Sequence, residues 1–100
     1  MPSAPSTARA TVFVRGRVQG VGFRWWTRAR ALELGLVGHA RNTADARVEV
    51  VAQGSRADVV RLVALLGADR AVPGRPGVVV SVSDPIWSTP VPGSTGFDER

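Results

Sequence analysis

ATVFVRGRVQGVGFRWWTRARALEL, residues 10–34, changes its hydrophobic period twice, and the fold is read from those changes. Ala10–Arg15 is rich in β-branched and aromatic side chains, the mark of a strand. Gly16, Gly20 and Gly22 then break the pattern, giving a loop whose glycines reach dihedrals closed to other residues. From Phe23 to about Leu34 the spacing is helical: Phe23, Thr27, Ala31 and Leu34, flanked by Trp26, form one stripe, while Arg24 and Arg28 share another face. Gly35 supplies the stop.

Upstream, residues 1–8 have nothing to order them and are expected to form a disordered leader, with one domain over residues 9–100. Downstream, Leu36–Asn42 reads as a second strand, Thr43–Ala46 as a turn, and Arg47–Gln53 as a third strand with Val48, Val50 and Ala52 on one face. Ser55 and Asp58 have the spacing of a capping box, and Val59, Leu62, Val63 and Leu66 continue as an amphipathic helix ending at Gly67. A link from Pro73 to Gly77 leads to a fourth strand, Val78–Val82, running toward Trp87, and Phe97 anchors a brief edge strand. The order βαββαβ predicts an α+β sandwich: an antiparallel sheet with two helices on one face.

Composition narrows the chemistry. The 100 residues contain no Cys, so no disulfide or thiolate metal centre is available. All 13 basic residues are Arg, which excludes a Walker lysine and a Schiff-base lysine. A single His, with no Tyr or Cys, leaves no His triad, thiol nucleophile, Cys/His zinc site or HExxH motif. Catalysis, if any, falls to Arg, amides, carboxylates or hydroxyls. The net charge of +5 predicts attraction to anions, and on charge alone nucleic acid, a phosphorylated metabolite and an acidic protein surface all stay open. The first residues lack the basic start and apolar core of a signal peptide, and no apolar run approaches a membrane span, so a cytoplasmic protein is expected.

Within Gly16–Arg24 an arginine sits at a helix N-terminus, against the positive end of the macrodipole, where an anion would offset it. Successive loop N–H groups can curl around such an anion, and Arg24 can offer a planar fork to two of its oxygens. The competing reading is plainer: the glycines turn the chain and Arg24 is solvated. Asn42, beside Thr43, Ala44 and Asp45, is likewise ordinary turn material by itself. Trp25, Trp26 and Trp87, interleaved with Arg, fit either base stacking or core and rim packing.

Gly16-Arg-Val-Gln-Gly-Val-Gly-Phe-Arg24, followed by Leu34-Gly-Leu-Val-Gly38 and Arg41-Asn-Thr-Ala-Asp45, resembles the acylphosphatases over roughly residues 9–100. These are small ferredoxin-like βαββαβ hydrolases. The resemblance implies hydrolysis of the carboxyl-phosphate anhydride of an acyl phosphate, without cofactor or metal. It makes Arg24 the phosphate-binding arginine, Asn42 the water-positioning asparagine, and Gln19, Gly20, Val21, Gly22 and Phe23 the phosphate-binding loop. A small-molecule acyl phosphate is the expected partner, with inorganic phosphate or sulfate as ligand or inhibitor. Neither membrane nor nucleic acid is expected, and the protein is expected to be a monomer. The alternative function is a non-catalytic phosphate- or RNA-binding module of the same fold. His39 stands where the family commonly has Trp and reads as a partly exposed strand residue. Ala46 stands where the family usually has Gly and is expected to cost about 1 kcal/mol if the turn needs a left-handed residue there.

Overall fold

The computed structural model describes residues 7–67 and 71–100. Eight elements follow one another: β1 (Thr7–Arg17), α1 (Phe23–Glu33), β2 (Val37–Asn42), β3 (Val48–Ser55), α2 (Arg56–Leu66), β4 (Val78–Val82), β5 (Ile86–Ser88) and β6 (Phe97–Glu99). β1 alternates without a break: Ala8, Ala10, Val12 and Val14 are buried, with Arg9, Thr11 and Phe13 on the other face. It pairs antiparallel with β3 from Thr7↔Ser55 to Val14↔Val48, so residues 7 and 8 of the expected leader are strand; residues 1–6 lie outside the described residues.

The strand order is β4-β1-β3-β2-β6, with β5 also on β1. The expected fourth strand is two short ones, because Ser83–Pro85 interrupts it. Ser83 stitches the gap, its N–H donating to the Phe13 carbonyl and its hydroxyl accepting the Phe13 N–H. The expectation of an antiparallel sheet needs correcting: β6 runs parallel to β2, Gly38 opposite Phe97 and Ala40 opposite Glu99, so the sheet is mixed. From β5, which runs against β1, a Pro- and Gly-rich segment carries the chain across the sheet to its other edge, where β6 runs against β5 and so lies parallel to β2.

Both helices cover one face. α1 lies over β2 and β6, and α2 lies over β1 and β3. Phe23, Trp26, Thr27 and Ala31 are buried on α1, and Val59, Leu62 and Leu66 on α2. Each large buried side chain of this kind contributes about 1.5–3 kcal/mol. The capping box forms, with the Asp58 N–H donating to Ser55 Oγ at 3.2 Å. At the end of α1, Gly35 takes φ 71°, the left-handed stop.

Candidate active site

The loop before α1 owes its shape to two glycines. Gly20 and Gly22 have φ 72° and 88°, with Val21 between them, and a Cβ added to either meets nothing within 4 Å. They are needed for dihedrals rather than for space, and such alternation turns successive N–H groups toward one side. Gly22 is the N-cap of α1 and supplies no side-chain cap, and no acidic residue stands in the first turn. The opening amides of the helix therefore keep their donors for a ligand.

Gln19 shapes the loop through its side chain. Its side-chain Nε2 donates to the carbonyls of Thr43 and Arg47, each at 2.9 Å, so the side chain staples the loop to the β2–β3 turn rather than facing a phosphate. The backbone amide is all that Gln19 can lend to an anion. The turn closes on itself as well: Thr43 N–H donates to Arg47 O at 2.9 Å and Ala46 N–H to Thr43 O at 3.2 Å. Ala46 has φ 67°, the left-handed residue that follows a type I turn in a three-residue hairpin loop. Thr43 hydroxyl and Arg47 both donate to Asp45, which holds that carboxyl below the usual carboxylate range, the Thr43 bond being the larger cause.

Alternation along β2 sorts its functional candidates. Ala40 is buried toward the helices, and Asn42, two residues on, faces the same way. The Asn42 side-chain Oδ1 is buried without a hydrogen-bond partner among the described residues. Arg41 and His39 face the opposite side of the sheet, where both meet Glu49: Arg41 Nε at 3.0 Å and His39 Nε2 at 3.3 Å. Arg41 bonding holds Glu49 below its ordinary value. Burial pushes the His39 imidazole below its own, against the Glu49 bond that favours the charged form. Neither side chain can reach the loop from there.

Arg24 Nη1 donates to the main-chain oxygen of Arg100 at 2.6 Å, and the Asn42 N–H reaches the same oxygen at 3.4 Å. One oxygen thus locates both candidate catalytic residues, at the start of α1 and the end of β2. One turn along α1, Arg28 Nε donates to Phe97 O at 2.9 Å. The two arginines that share a helix face both grip the C-terminal strand. The sequence reading missed this contribution of β6 and Arg28; its single legible trace was Phe97 as an anchor.

The tryptophans are accounted for without stacked bases. Trp26 is core, Arg56 lies over the Trp87 ring at 4.0 Å, and only Trp25, 63% exposed, stands free beside the loop. Phe13, on the open sheet face, is covered by Arg47 at 4.3 Å.

A family model described as Acylphosphatase matches residues 10–93. The chain belongs to the acylphosphatase family. An acylphosphatase of Mycobacterium sp. (strain KMS) is 57% identical over 99 residues, covering 98% of this chain and 99% of that one. An acylphosphatase of Acidothermus cellulolyticus is 59% identical over 92 residues, covering 91% and 85%. Among solved structures, the acylphosphatase from Bacillus subtilis matches with a TM-score of 0.79 at 29% identity, over 93% of this chain and 98% of that one. Identity at this level over nearly the whole chain supports acyl phosphate hydrolysis as the activity, and the alternative of a non-catalytic binding module is not favoured. Among the described residues, no helix is long and apolar enough to cross a membrane.

Proposed function

We propose that Arg24 and the backbone amides of Gln19, Gly20, Val21, Gly22 and Phe23 hold the phosphoryl group of a small acyl phosphate, and that Asn42 places the attacking water. The observation that carries this reading is the convergence of Arg24 Nη1 and the Asn42 N–H on one oxygen, beside a helix start free of any side-chain cap. With Nη1 committed to Arg100, the remaining guanidinium donors of Arg24 face the phosphoryl oxygens as a fork. The Asn42 side-chain amide offers both a donor and an acceptor, and these orient the attacking water.

The water oxygen bonds to phosphorus, the phosphorus–acyl oxygen bond breaks, and the carboxylate leaves with the electron pair. The water's proton passes to a phosphoryl oxygen, so no side chain has to act as a strong base. His39, the chain's single histidine, faces the other side of the sheet and takes no part. Acyl phosphates are already activated, and charge stabilisation with positioning is enough to drive the step. Inorganic phosphate and sulfate bind the same cradle and compete with substrate. The domain that carries the site includes β1 from Thr7 onward, acts as a monomer and works in the cytoplasm.

Hydrolysis of benzoyl phosphate in 18O-labelled water, with EDTA present, tests the reaction course. The label is expected in phosphate; label in benzoate would overturn attack at phosphorus. Arg24→Ala is expected to raise KM and lower kcat, and an unchanged kcat/KM in that variant removes the guanidinium from the site.

A further inference from the structure

On the open face of the sheet, away from the helices, lies a cavity of about 170 Å3 lined by Arg9, His39, Ser94, Thr95, Asp98 and Arg100. Four parts of the chain build it: β1 gives Arg9, β2 gives His39, and the segment leading into β6 closes it with Ser94 and Thr95, next to Asp98 and Arg100. Gln53 pins that segment down. It takes the Val91 N–H at 2.8 Å and donates to the Val91 carbonyl at 3.0 Å, as a neighbouring strand would, while Arg9 Nη1 donates to its Oε1 at 3.1 Å. The wall is thus fixed by a buried side chain rather than by a loose loop.

Charge in the cavity is unbalanced. Arg9 and Arg100 bring two permanent positive charges, and the one acidic side chain among the lining residues, Asp98, meets Arg100 Nη2 at 3.5 Å. Glu49, the other acid near His39, is already bound by Arg41 at 3.0 Å. Ser94 and Thr95 add hydroxyls that can donate. We infer that this cavity is a second oxyanion site, separate from the loop of Gln19–Phe23, that takes inorganic phosphate or an ion of the same size and charge. Arg9 and Arg100 supply the charge-assisted bonds and Thr95 a neutral one. Because Asn42 faces the helices and this cavity faces away from them, both sites fill at once. Phosphate, the product of the reaction, is then a ligand twice over.

His39 lines the cavity and is the chain's single histidine, so its ring reports occupancy without ambiguity. The charged groups around it are Glu49 on β3, Arg9 on β1, and Asp98 and Arg100 at β6. An anion bound among them favours the imidazolium, which burial of His39 and the two arginines disfavour.

The test follows the His39 Cε1–H resonance while inorganic phosphate is added at constant pH and ionic strength, chloride making up the balance. Saturable movement is expected, with a rise in the imidazole pKa. The response is expected to persist in Arg24→Ala. It is expected to vanish in Arg9→Gln while phosphate still inhibits hydrolysis in that variant. Thr95→Val, which leaves the Gln53 contacts alone, is expected to weaken it several-fold. A resonance that follows ionic strength alone overturns the site. So does a response that disappears in Arg24→Ala, since it would then report the other site, and so does full retention in both Arg9→Gln and Thr95→Val.

Discussion

Replacing Ala46 by Gly should make the protein more stable, against the usual direction of an Ala-to-Gly change. Ala46 is the one non-glycine residue with positive φ among the described residues, at 67°. An L side chain in the left-handed region costs roughly 1–2 kcal/mol. Glycine removes that cost but gives the unfolded chain more freedom, which returns about 0.4–1 kcal/mol. The side chain is exposed, so no packing is lost. The balance is a gain of about 0.5–1 kcal/mol, which for a domain of this size is a rise in Tm of about 2–8 °C. Ala44, two residues earlier in the same turn, has no positive φ, so Ala44→Gly should lose about 0.4–1 kcal/mol. The assay is urea and thermal unfolding of wild type and both variants by tryptophan fluorescence. Opposite signs support the reasoning; a fall in both midpoints refutes it. kcat should stay unchanged in Ala46→Gly, because Asn42 is fixed by its pairing with Val48 rather than by the turn's tip.

Gln19→Ala removes both bonds from the loop to the turn, each worth about 1 kcal/mol net, so the urea midpoint should fall and kcat/KM should drop with it as the cradle loosens. Gly22→Ala leaves the space unstrained but not the backbone at φ 88°; phosphate affinity measured by calorimetry should fall by at least several-fold while the circular dichroism spectrum is retained. Acidification should destabilise the fold through His39: its pKa is lowered in the folded state, so below about pH 6.5 the unfolded chain binds more protons and stability falls as pH falls. His39→Asn should flatten the dependence of Tm between about pH 7.5 and 5.5, leaving the loss at lower pH, where Glu49, also held below its ordinary value, is protonated.

The front half of the molecule was legible because its signals are local. Ala10–Arg15 declares a strand through its side chains, Phe23–Ala31 a helix through its spacing, and Ser55 with Asp58 a cap through two residues, and each forms as read. The back half was less so. β5 and β6 have three residues each, too few to show a period, and the parallel pairing of β6 with β2 depends on the path of the intervening segment. The candidate site divides the same way. Glycine spacing pointed to the loop and the resemblance to Arg24 and Asn42, but the contacts that hold these residues join positions far apart in the chain. Gln19 reaches Thr43, Arg28 reaches Phe97 and Arg24 reaches Arg100, and no local pattern announces such pairs.

The most direct measurement is the kcat of wild type and Asn42→Ala on benzoyl phosphate, made alongside the phosphate affinity of each. Removing the group that places water should lower kcat by about 100-fold or more. Phosphate affinity should change little, because the loop and Arg24 remain. A folded Asn42→Ala protein that turns over at the wild-type rate would contradict the account.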